Sequence, residues 1–163
     1  MQTPFRGRAS LASIPFALFY ERCPEIAAEE ICTLSIAEEL ESGVPAGTYA
    51  LLEMYCDEED CDCRRVLLSV RHLETREIEA VISFGWEERS FYVDWMGEDD
   101  PPFIDAMMGP CLHLGPAQGP HADVLLELVA EPLLGDPDFV ARLARHYELF
   151  RKDVEQNGDG EGQ

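Results

Sequence analysis

The sequence predicts an α+β domain, an antiparallel meander of three to four strands followed by packed helices. Two observations carry that expectation. Between Thr48 and Gly85, three apolar runs follow one another with short polar connections. Each run suits a strand with one face buried. From Ala122 onwards the apolar residues recur instead at spacings of three and four, the period of a buried helix face.

The first 25 residues read as irregular, because Pro4, Pro15 and Pro24 interrupt any long element. Glu29 to Ile36 alternates through Cys32, Leu34 and Ile36 and suggests a strand, the possible fourth of the meander. Gly43 to Gly47, with Pro45, reads as a turn. The strand Thr48 to Tyr55 follows. Arg64 to His72 places Val66, Leu68 and Val70 on one face, and Ile78 to Gly85 does the same with Ile78, Ala80, Ile82 and Phe84. Glu74 to Glu77 is the turn between them. Ser90 is positioned to cap a short helix carrying Phe91, Tyr92, Trp95 and Met96, which Pro101-Pro102 should stop. Gly109-Pro110, Gly115-Pro116 and Gly119-Pro120 mark a loop. Ala122 to Leu134 reads as a helix. Asp136-Pro137-Asp138 starts another, with Asp at the cap and Pro at the first position, running to about Gln156. Its stripe is Phe139, Val140, Leu143, Tyr147 and Phe150. Residues 1–156 are therefore expected to form a single domain, and 157–163 a disordered acidic tail.

Composition narrows the function. The chain of 163 residues carries 33 Asp plus Glu against 12 Lys plus Arg, a formal charge of −21. Such a surface repels phosphate backbones and anionic membranes, so neither nucleic acid nor a membrane is an expected partner. A protein partner, basic in character, is the complementary expectation. Arg6 and Arg8 ahead of the apolar run Ala9 to Tyr20 imitate the start of a signal peptide, but Pro15 breaks the run and Glu21-Arg22 follow at once. The cytoplasm is the expected compartment. There the six cysteines (23, 32, 56, 61, 63 and 111) would stay reduced.

Three of the cysteines fall within eight residues. The segment Tyr55-Cys56-Asp57-Glu58-Glu59-Asp60-Cys61-Asp62-Cys63-Arg64-Arg65 joins the first two strands of the meander. A hairpin brings its strand ends within about 5 Å, so the Cys56 and Cys63 thiols can converge on the turn that holds Cys61. Three thiolates beside five carboxylates call for a cation, and thiolate donors suit zinc. Cys56, Cys61 and Cys63 are thus the expected ligands of a zinc ion. His146 is one candidate for the fourth, because the helix stripe that carries it must pack on the sheet. Cys111, His113 and a water molecule are the alternatives. His72 is excluded: nine residues of extended strand from Cys63 amount to roughly 30 Å. Cys111, His113 and His121 form a second, looser spacing, C-x-H-x7-H.

The string Tyr-Cys-x4-Cys-x-Cys-Arg-Arg-Val, with Ile82-Ser-Phe-Gly-Trp-Glu87 and His146-Tyr-Glu-Leu-Phe-Arg151, resembles an uncharacterised bacterial family whose members are sometimes labelled as related to SEC-C metal-binding proteins. The resemblance spans roughly Gly47 to Arg151 and implies that the three cysteines are ligands. It implies no activity. The chain lacks the C-x-C-x-S tail of SEC-C proteins, so the zinc site of those proteins does not carry over.

No phosphate-binding glycine loop, H-E-x-x-H or G-x-S-x-G is present. Three functions remain: a structural or interaction module with a closed metal site, an enzyme with an open one, and a thiol redox protein.

Overall fold

The computed structural model describes residues 15–113 and 118–157. The meander is present as expected: β3 (Gly47–Cys56), β4 (Arg65–His72) and β5 (Ile78–Gly85) pair antiparallel in order. β2 (Cys32–Ile36) joins the open edge of β3 along Gly47 to Leu51. Two short strands complete a six-stranded sheet. β1 (Phe16–Leu18) pairs with the other half of the same β3 edge, Met54 to Cys56, and β6 (Cys111–Leu112) pairs with β5. Two or three residues cannot display a period, which is why both lay inside segments expected to be irregular or looped.

The helices require further corrections. The region around Pro24 folds as α1 (Phe19–Arg22) and α2 (Pro24–Glu29), so Glu29 belongs to a helix and the strand begins at Cys32. The helix α3 (Arg89–Met96) ends at Gly97, whose φ of 88° allows the left-handed cap. Pro101 does not stop it but opens α4 (Pro101–Met108), where a missing N–H costs nothing at the first helical position. α5 spans Ala122–Ala130. α6 (Pro137–Asn157) starts as expected, with Asp136 Oδ1 accepting the Asp138 N–H at 2.9 Å. It takes in Asn157, the first residue of the expected tail; the other tail residues, like 1–14 and 114–117, lie outside the described ones. No described helix is long and apolar enough to cross a membrane.

Strand alternation sorts the core. Tyr49, Leu51 and Tyr55 of β3, Val66, Leu68 and Val70 of β4, and Ala80 and Ile82 of β5 face α5 and α6, which contribute Leu125, Val129, Leu143, Tyr147 and Phe150. Met54, Leu67 and Val81 form a smaller cluster on the opposite face. Tyr92, Ile104 and Met107 join α3 to α4. The two tryptophans have different surroundings. Trp86 packs edge-on against Tyr55 and Tyr147, whereas Trp95 is exposed.

His72 closes the far end of the meander. Its Nδ1 accepts the N–H groups of Glu74 and Thr75, and its Nε2 meets the Ala46 carbonyl at 3.1 Å. Gly47 leaves room for that ring: its φ is 138°, and a Cβ there would stand 2.5 Å from His72 Nε2. Gly47→Ala is expected to destabilise the fold by about 2 kcal/mol or more, through backbone strain and a displaced ring. Urea unfolding of the two proteins measures it, and an unchanged midpoint would refute it.

Candidate metal centre

The β3–β4 hairpin turns through Asp57 to Arg64 with two residues in the left-handed region, Asp60 at φ 61° and Arg64 at φ 50°. Asp adopts this conformation readily and Arg does not. Arg64 is held in it from several sides. Its guanidinium donates to Asp62 and to Glu87 and lies 4.6 Å from the Phe91 ring centroid. Its carbonyl accepts the Tyr92 hydroxyl at 2.8 Å, and that same hydroxyl accepts the Glu87 N–H. The strained residue sits directly after Cys63 and returns the chain to β4.

This turn gathers the three cysteines. One sulfur each from Cys56, Cys61 and Cys63 lies within 4.8 Å of the others. Cys56 and Cys63 are buried and Cys61 is partly so, and all three are free thiols. They are close enough to bind a metal ion. Tetrahedral thiolate binding at about 2.3 Å places sulfurs about 3.8 Å apart, which is compatible with this span. Among the described residues no fourth His, Cys, Asp or Glu offers an atom within the same distance of all three.

The thiols share protons. The S–H groups of Cys56 and Cys63 both serve Cys61, which with the help of the Arg151 charge is held down to about 3. Cys56 is driven far upward by the same bonds to Cys61 and Cys63 and by burial. For Cys63 the bond with Cys56 pulls down, but the bond with Cys61 and burial outweigh it and push the thiol up to about 11. A cation in the cluster would replace those shared protons as the common partner of three sulfurs.

His146 is placed elsewhere. Its Nδ1 meets Glu53 Oε1 at 2.7 Å and its Nε2 meets Glu30 Oε1 at 2.7 Å, with Phe19 stacked on the ring at 4.4 Å between centroids. Both ring nitrogens are thus engaged, and the residue is not part of the sulfur group. Strand geometry gives the reason. Glu53 and Tyr55 share the sheet face that meets α6, whereas Cys56, one residue on, alternates to the other side. The helix does reach the hairpin, but through residues one and five positions after His146. Tyr147 donates to Asp62 at 2.8 Å, and Arg151 donates to the carbonyls of Cys56 at 2.6 Å and Glu58 at 2.9 Å.

The other candidates are dispersed. Cys111 lies opposite Ser83 on β6, its thiol donating to the Ala106 carbonyl. His113 lines a cleft with Arg65 and Met107, and burial lowers its pKa. His121 stands at the start of α5, beside Gly43. They form no ligand group among the described residues.

The sequence assigns no role to the supporting side chains Arg151, Tyr147, Tyr92 and Arg64, although three of them stand within the strings quoted above. The available signal was Arg151, a charged residue four positions after Tyr147 and so in line with the buried stripe. It is only 7% exposed, unusual for an arginine. If the cluster holds a metal ion, Arg151→Gln is expected to weaken its binding by roughly tenfold or more, since residues that orient ligands typically contribute that much. Competition against a chromophoric chelator reads the change, and equal affinities would remove Arg151 from the site.

The chain matches no family model, no curated protein and no solved structure.

Proposed function

We propose that Cys56, Cys61 and Cys63 hold one zinc ion whose role is structural, in a small module that acts by interaction rather than catalysis. The convergence of the three sulfurs within 4.8 Å on a turn pinned by α6 carries this reading. Cys56 ends β3, Cys63 precedes β4, and Arg151 reaches both Cys56 and Glu58 from the last helix. An ion there would staple strand, turn and helix together. Arg151 beside Cys61 and Arg65 beside Cys63 offset the charge of three thiolates. The resemblance to the SEC-C-related family points to the same three ligands. The acidic surface suits a basic protein partner.

Protein purified without added metal, in a reducing buffer, is expected to contain one zinc per chain by elemental analysis. A chain purified free of zinc and unable to take it up stoichiometrically would end this reading.

A second reading keeps the fourth position for an exogenous ligand or water, as in a catalytic centre. It is favoured by the absence of a fourth donor within reach among the described residues. Cobalt substitution separates the two: a spectrum that shifts on addition of thiocyanate or imidazole belongs to the open site.

A further inference from the structure

On the edge of β3 away from the hairpin turn, a cavity of about 340 Å³ opens between the N-terminal helices and the sheet. That volume falls in the range of small-molecule sites. Its walls are apolar, from Phe19, Pro24, Ala27 and Leu51. Two of the exposed large hydrophobic residues, Tyr20 at 43% and Ile31 at 49%, stand on its lining. Its floor is charged: Glu30, Glu53 and His146.

The floor has an unusual distribution of hydrogen-bonding capacity. His146 is 1% exposed and Glu53 9%. Both His146 ring nitrogens face a carboxylate, so each carries its proton inward to Glu53 or Glu30. The Tyr55 hydroxyl proton goes to Glu53, and one Arg145 N–H reaches Glu30. The buried donors of the floor, on His146 and Tyr55, are therefore committed. The acceptors are not. Glu53 takes both of its hydrogen bonds on Oε1, which leaves Oε2 with no donor among the described residues, and Oε2 is not counted among the sealed, unsatisfied atoms. Glu30 likewise takes its two on Oε1.

An apolar cavity whose floor offers unused carboxylate oxygens and no uncommitted buried donor favours a ligand that is apolar at one end and donates hydrogen bonds at the other. A cationic donor gains most, because a charge-assisted bond to a half-satisfied carboxylate is stronger than a neutral one. The charge of −21 on the chain favours the same sign. We propose that this cavity binds a small hydrophobic primary amine, with its ammonium group on Glu53 and Glu30 and its apolar body between Phe19, Ala27 and Leu51. The site is separate from the cysteine cluster and does not depend on the metal.

The test uses the full chain in its metal-loaded form, with phenethylamine, 2-phenylethanol and 3-phenylpropionate as probes of one shape and different heads. Calorimetry is expected to show saturable amine binding, about tenfold or more tighter than the alcohol, with the acid weakest. Glu53→Gln is expected to weaken the amine by about tenfold and to leave the alcohol unchanged. Ala28→Trp, at an exposed position on the lining and outside the charged network, should abolish binding of both while leaving the melting temperature and metal content as they are. That variant keeps the test decisive if Glu53→Gln does not fold. Equal affinity for amine and alcohol, binding that survives Ala28→Trp, or no saturable amine binding would each overturn the proposal.

Discussion

With zinc held by the cysteine cluster as proposed, its removal by a chelator under reducing conditions is expected to lower the melting temperature by about 8–16 °C. With free zinc held near a thousand times its dissociation constant, binding to the folded state alone contributes about 4 kcal/mol. A chain of this length shifts by about 2–4 °C for each kcal/mol. Structural zinc in small peptides reaches about 10–16 kcal/mol, but those peptides have no other core. Here the sheet, α5 and α6 retain theirs, so the apo chain is expected to stay folded in its centre and to loosen at the hairpin. Cys56→Ser and Cys63→Ser should each reproduce most of the loss and become insensitive to the chelator. Cys23→Ser and Cys32→Ser, whose thiols lie outside the cluster, should keep full sensitivity. Calorimetry with and without chelator gives all of these numbers. A wild-type melting temperature indifferent to chelation, in protein that does contain metal, would show that the ion is not structural.

The elements that were legible in the sequence share one property: they are long enough to repeat. β3, β4 and β5 each run for at least eight residues, and α6 for 21. Over such lengths alternation and the three-and-four spacing outweigh chance. β1, β6 and α1 span two to four residues and are set by the neighbours they pair with or pack on, which a local reading does not contain. The cysteine cluster is legible for a similar reason, because all three thiols are local to one turn. The placement of His146 was not. Its place on the α6 stripe is set by spacing, but its partner depends on which β3 residue lies beneath it. Glu53 was an unremarked charged residue in an apolar strand. Alternation placed it on the core face, between Leu51 and Tyr55, where a carboxylate needs a donor. That mismatch was the signal that His146 was already taken.

His146→Ala is accordingly expected to be among the most damaging single substitutions, at about 3–5 kcal/mol, because it strips the buried Glu53 of its charged partner. His146→Leu combined with Glu53→Leu should cost less than His146→Leu alone, since the pair then leaves together. The pH dependence follows from the same geometry. Burial alone would lower the His146 pKa, but the hydrogen bonds and charges of Glu53 and Glu30 outweigh it, and the net shift is upward. The folded state therefore binds the proton more tightly than the unfolded chain, whose histidine titrates near 6.5. The stabilisation is complete below that value and is lost as pH rises through the raised folded value. Glu30 acts in the opposite sense. The Arg145 bond first, and the His146 bond after it, hold its carboxyl below the usual range, so its contribution is lost as pH falls through that depressed value. Glu53 from β3, Glu30 at the end of α2, and Arg145 and Arg142 from α6 are the charged groups that surround the ring and its partners. The readout is the difference in stability between the wild type and His146→Gln across pH, which cancels the titration of the thiolates at the separate cysteine cluster. That difference should be largest in mildly acidic solution and shrink towards alkaline pH. A difference that grows with pH would mean that His146 is neutral in the fold.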